Sequence, residues 1–184
     1  MLFSLNKKQV HGATGAVSFK GRSEPIVVLI HGAGMDRSVW SQQTRFLAHH
    51  GFRALAVDLP EHGHSEGPAL GSVAELAKWI VDLADYFGES LHLVGHSMGA
   101  LVALHTAGHH KNSVSSVSLL GVGASMPVHP ELQEAADAND VKAAQLITSW
   151  GHSTRHHLGN NPTPGLSMTG GTQALSESAS SGVL

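Results

Sequence analysis

The chain has no cysteine among its 184 residues, which excludes disulfide bonds and thiolate metal sites. Charged residues make up only 14%, the net charge is -3 and no basic run occurs, so neither nucleic acid nor an anionic membrane surface is expected as a partner. No apolar stretch reaches the roughly 18 residues that a membrane span needs. The start, "MLFSLNKKQV", lacks the apolar core and small-residue cleavage site of a secretory signal. The expectation is one globular domain with a cytoplasmic location.

Histidine, by contrast, is abundant, with 15 copies. His49-His50, His109-His110 and His156-His157 are adjacent pairs. Adjacent residues on a helix point about 100° apart and rarely share a ligand. The chain has no His-Glu-x-x-His arrangement. This spacing predicts no metal site and places most histidines on the surface or at helix ends.

Four short apolar runs read as buried strands: "PIVVLI" at 25–30, "RALAVDL" at 53–59, "SLHLVG" at 90–95 and "VSSVSLLG" at 114–121. Helical segments lie between them at about 37–50, 72–87 and 98–110, the second opened by a Ser72/Glu75 capping box. Alternating strands and helices predict βαβ units in a mostly parallel sheet covered on both faces, a three-layer α/β/α fold. The first 20 residues are expected to hold two short antiparallel strands turning near Gly12 and Gly15. Beyond Gly121 the pattern changes: 129–150 reads as two helices broken near Asn139-Asp140, and the remainder is rich in Gly, Pro, Ser and Asn. No strand-like run follows 114–121.

The stretch "LHLVGHSMGALVAL" at 91–104 interrupts a strand and a helix with a serine flanked by Gly95 and Gly99. A serine between a buried strand and a buried helix, as Gly-x-Ser-x-Gly, matches a nucleophile elbow. The turn is strained and tight, so side chains two residues either way would collide with backbone. The Met98 N–H then lies at a helix N-terminus, suited to stabilise an oxyanion. A glycine-rich turn, His31-Gly32-Ala33-Gly34, follows the first buried strand and is placed to supply a second donor.

With Asp58-Leu59-Pro60 and Gly63-His64-Ser65, these residues resemble the α/β-hydrolase fold family in its compact branch of bacterial esterases, C–C hydrolases and haloperoxidase-like members. The likeness is good over about 20–125. It departs at Glu61, where relatives commonly carry glycine. The resemblance implies Ser97 as nucleophile and the Ala33 and Met98 N–H groups as the oxyanion hole. His31, Gly32, Gly34, His96 and Met126 become candidate pocket residues, Met35 and Met98 further candidates for an apolar acyl site, and His31 an internal support of its turn. It implies an N-terminal hydrolase core over 1–125 and a helical cap with coil over 126–184, inserted after the sixth strand. It also implies ester or related acyl or C–C chemistry on a small-molecule substrate through an acyl-enzyme, with no cofactor. Aspartate-nucleophile relatives, the dehalogenases and epoxide hydrolases, are disfavoured by Ser97.

In this family an acid follows a seventh strand and a histidine base follows an eighth. The chain shows neither, so it is expected to be an incomplete hydrolase whose sheet lacks its C-terminal part. His64 and the cap histidines His129, His152, His156 and His157 are weaker candidates for the base, and Asp58 is expected to hold its own loop together. The alternative is a catalytically inactive binding or interaction module. In either case 114–121 is expected at the sheet edge. The apolar faces of "VVLI" and "LHLV" are expected to be partly exposed on the side of helix 37–50, favouring self-association.

Overall fold

The computed structural model describes residues 1–138, 140–151, 172, 173, 175 and 176. Six strands, β1 (Leu2–Leu5), β2 (Lys8–Ala13), β3 (Ile26–Ile30), β4 (Arg53–Val57), β5 (Leu91–His96) and β6 (Val114–Leu120), form one sheet in the order β1-β2-β4-β3-β5-β6. The pairs β4–β3, β3–β5 and β5–β6 are parallel, whereas β1–β2 and β2–β4 are antiparallel. The helices that accompany them are α1 (Ser41–His49), α2 (Val73–Phe87), α3 (Met98–His109), α4 (Pro130–Asp137) and α5 (Val141–Trp150).

The central strands are apolar on both faces because helices cover both. Ile26, Val28, Ile30, Leu55, Val57, Leu91 and Leu93 pack with Leu76, Ile80, Leu83, Val102 and Ala103 of α2 and α3. On the opposite face, Val27, Leu29, Ala54 and Ala56 meet Trp40 and Ala48. The small residues of β4 leave room for the Trp40 indole. Burying a Leu, Ile or Val side chain is worth about 1.5–3 kcal/mol, so this two-sided core is the main force fixing the sheet. Ser72 caps α2 by accepting from the Glu75 N–H, and Gly88 ends it in the left-handed region with φ 70°.

Several expectations need correction. The β1–β2 hairpin turns at Asn6-Lys7, both at positive φ, rather than near Gly12 and Gly15. Two consecutive left-handed residues form the turn that matches strand twist, and Asn tolerates that conformation well. Gly12 instead pairs with Val57, where a β-carbon would lie 2.6 Å from the Leu55 side chain. The segment 37–50 begins as a 3-10 turn over Arg37–Trp40 before α1. β3 is fully covered, with Val27 and Leu29 only 6% and 1% exposed, so the expected exposure of "VVLI" is not found. On β5, His92 and Val94 are half-buried on the α1 side.

The last strand lies at the sheet edge, as expected, with Val117, Leu119 and Leu120 each more than a third exposed. The break between α4 and α5 falls at 138–140. The Gly/Pro/Ser-rich stretch 152–171, with His152, His156 and His157, lies outside the described residues.

Candidate active site

The site assembles where β3, β4 and β5 end. After Ile30 the chain turns sharply: Met35 N donates to Gly32 O at 3.2 Å and Gly34 takes φ 66°. Positive φ at the third position of such a turn is what glycine permits. Ala33 is exposed at the tip of this turn.

Beneath it, His31 is fully buried. Its Nδ1 donates to Gly32 O at 2.8 Å and its Nε2 accepts the Leu59 N–H at 3.1 Å. Burial, with His62 alongside, pushes its pKa down to about 4, so the ring is neutral and this pair of bonds fixes one tautomer. His31 therefore straps the β3 turn to the loop after β4.

A second strap is Asp58. The carboxylate is completely buried; Oδ1 accepts the Arg37 N–H at 2.8 Å and Oδ2 accepts the His64 N–H at 3.0 Å. The Arg37 guanidinium pairs with the same carboxylate. Gly63, at φ 53°, lies so close that a β-carbon there would sit 2.5 Å from Asp58 Oδ2. Ser65 Oγ donates to the Asp58 carbonyl at 2.9 Å. Asp58 thus holds its own loop, and through Arg37 it also holds the start of the 3-10 turn that follows residues 31–34. Glu61 takes φ 64°. That left-handed conformation gives a physical reason for glycine to be favoured at this position.

Ser97 sits between β5 and α3 with φ 52° and ψ -118°, a strained conformation for a side-chain-bearing residue that costs on the order of 1–3 kcal/mol. A β-carbon at Gly95 would lie 2.5 Å from the Gly99 carbonyl carbon, and one at Gly99 would lie 2.6 Å from the His31 carbonyl oxygen. Both glycines are needed for backbone to approach backbone. A β-carbon at Gly32 would lie 3.4 Å from Ser97 Cβ and 3.2 Å from His96 Nδ1, which brings the β3 turn against the serine.

The His96 ring also reaches Gly121, where a β-carbon would lie 3.3 Å from Nε2. Partial burial lowers its pKa. Met98 begins α3, so its N–H has no partner within the helix. Its side chain packs against the core formed with α2, while Met126 is exposed beyond β6. Among the described residues the Ser97 hydroxyl has no hydrogen-bond partner, and no group of three or more metal-ligating side chains occurs. His129 stacks edge-on against Trp150, with ring centroids 5.1 Å apart.

Sequence reasoning missed the Asp58–Arg37 pair and the wedge of His96 between Gly32 and Gly121. The Asp58-x-Pro60 and Gly63-x-Ser65 spacing carried a signal for the first, since a buried carboxylate needs donors and a glycine to make room. Nothing local signals the second.

Curated relatives match about half of the chain. The pimeloyl-(acyl-carrier protein) methyl ester esterase of Vibrio cholerae is 41% identical over 91 residues, covering 50% of this chain and 34% of its own length. The (E)-2-((N-methylformamido)methylene)succinate hydrolase of Acinetobacter baylyi is 36% identical over 91 residues, covering 45% and 32%. The matched stretch thus spans about a third of these relatives. In three dimensions the enol-lactonase from Burkholderia xenovorans superposes with a TM-score of 0.80 at 21% identity, over 97% of this chain and 68% of that one, which shows a shared fold. The family model described as the alpha/beta hydrolase fold matches residues 25–158, and the chain belongs to that family.

Proposed function

We propose that this chain carries the nucleophile and oxyanion-hole half of a serine hydrolase acting on small esters or related acyl or C–C substrates. The observation that supports it best is Ser97 at φ 52° and ψ -118° between β5 and α3, with Gly95 and Gly99 giving backbone room. Ser97 Oγ attacks the substrate carbonyl carbon, and the Met98 and Ala33 N–H groups receive the oxyanion. The alcohol leaves with a proton, and water then releases the acid from the acyl-enzyme, with no cofactor required. His31, Gly32, Gly34, His96 and Met126 belong to the pocket region in this reading, with His31 acting as the support beneath it. Among the described residues no general base stands against the Ser97 hydroxyl, and in this reading 126–184 serves as the cap over a core of 1–125. Two relatives named for hydrolysis, one acting on a methyl ester held by a carrier protein, support the reaction class.

The test is covalent capture. A fluorophosphonate probe at high concentration should modify the Ser97 peptide slowly, as read by mass spectrometry, and should leave Ser97→Ala unmodified. Equal labelling of both proteins would refute the nucleophile. Turnover of p-nitrophenyl esters by the 184-residue chain should be very low, because an unassisted serine is a poor nucleophile. Robust turnover abolished by Ser97→Ala would instead place a base within the chain.

A further inference from the structure

Leu91 and Leu93 of β5 face α2 and α3, so the alternation of a strand puts His92, Val94 and His96 on the face that carries α1. His96 ends that row, half-buried, directly before Ser97. Its ring has no hydrogen-bond partner among the described residues. What it does there it does by shape.

Two opposite edges of the ring are occupied. Nδ1 faces Gly32 of the β3 turn, where a β-carbon would lie 3.2 Å away. The Cδ2–Nε2 edge faces Gly121, just past β6, where a β-carbon would lie 3.4 and 3.3 Å from those atoms. Gly121 needs glycine for its φ of 61° in any case. Gly32 has no positive φ, so space alone restricts it. Its β-carbon position is hemmed in by His96, by Met35 Sδ at 3.3 Å and by Ser97 Cβ at 3.4 Å. Gly121 is itself anchored, because the preceding carbonyl accepts the Ser97 N–H. A planar ring does not compress, so its far edge rests on a fixed base and its near edge bears on the β3 turn.

We infer that His96 is a positioning residue: its imidazole spaces the β3 turn from the elbow and so sets where the Ala33 N–H lies relative to Ser97 Oγ. The inference rests on the reading of Ser97 as nucleophile and Ala33 as oxyanion donor. The role belongs to the ring and not to its nitrogens. Oxyanion donors act only within a narrow range of distance, and a misplacement of about 1 Å can cost on the order of a hundredfold in rate. Without the ring, the turn loses its packing on one side and has room to sink toward β6.

The test compares the wild type with His96→Ala, His96→Phe and His92→Ala. His92 shares the strand face but is bonded to Ser116, Nδ1 to Oγ at 2.8 Å, and serves as the control. Fluorophosphonate labelling of Ser97, followed against probe concentration, separates probe affinity from the rate of the covalent step. His96→Ala should lower the covalent rate at least about tenfold with little change in the half-saturating concentration. His96→Phe, which keeps a planar ring without nitrogens, should restore most of the rate, and His92→Ala should match the wild type. Circular dichroism should show all three variants folded.

The turn is read independently through hydrogen exchange of the Met35 N–H, which donates to Gly32 O. That exchange should quicken at least about tenfold in His96→Ala, with amides inside β3 unchanged, and should return toward wild type in His96→Phe. Wild-type labelling or unchanged Met35 exchange in His96→Ala overturns the proposal. So does a folded His96→Phe that restores neither. If the wild type is not labelled at Ser97, the nucleophile reading fails, and Met35 exchange alone decides whether the ring spaces the turn.

Discussion

The backbone N–H of Ser97 donates to the carbonyl oxygen of Leu120 at 2.9 Å, tying the strained residue of the elbow to the last residue of the edge strand. The elbow is thus held from two sides, by the β3 turn at Gly32 and by the end of β6. Its geometry depends on an edge strand whose one sheet neighbour among the described residues is β5.

That edge should govern association. β6 reads "VSSVSLL", with no charge and no proline, so its outer row of N–H and C=O groups lacks the usual protection against pairing. Sedimentation at rising concentration should show self-association, and Leu119→Lys, at a residue 37% exposed, should shift the chain toward monomer. A concentration-independent monomer would disprove this.

Alanine at Gly95 or at Gly99 should be among the most damaging single methyl additions in the chain. Each β-carbon meets backbone, which cannot move aside as a flexible side chain does. Overpacking typically costs about 1–3 kcal/mol, and backbone contacts belong at the upper end. Urea unfolding should report losses of about 3 kcal/mol at both positions, against no loss, or a gain of up to about 1 kcal/mol, for Gly108→Ala within α3, where a β-carbon meets nothing within 4 Å.

The Asp58 strap should be costly to break from either side. Arg37→Ala leaves a fully buried carboxylate with two backbone donors but no cation. Asp58→Ala orphans those donors. Losses of about 3 kcal/mol are expected for each by chemical denaturation. A double variant losing much less than the sum would confirm that the two act as one unit.

Stability should fall in mild acid because of His31. Its pKa is about 4 in the folded chain against 6.5 ordinarily, so below pH 6.5 the unfolded chain takes up a proton that the folded chain refuses. The penalty grows as pH falls and levels off near pH 4, at about 3 kcal/mol. Burial lowers His62 as well, in the same direction. Urea midpoints at pH 7 and pH 4.5 should therefore differ more for the wild type than for His31→Gln. Equal slopes would show that His31 is not the group responsible.

The sequence by itself determined the parallel core, the helix spans and the serine turn. Continuous β-branched runs such as "IVVLI" are intelligible only as strands buried on both faces, and Gly-x-Ser-x-Gly between a strand and a helix specifies a tight turn. These signals are local, carried by residues a few positions apart. Tertiary structure decided what those segments meet. Asn6-Lys7 became the hairpin turn because Leu5 pairs with Lys8 and Gly12 is drawn into register with Val57. "VVLI" is covered because Trp40 and Ala48 fold over it, a consequence of alanines at 54 and 56 on a neighbouring strand. Asp58 finds Arg37 across 21 positions, and His96 is wedged between glycines 64 and 25 residues away. Contacts at such separations form only when the sheet brings strand ends together. Local pattern therefore disclosed the serine's turn, and the assembled sheet decided which groups support it.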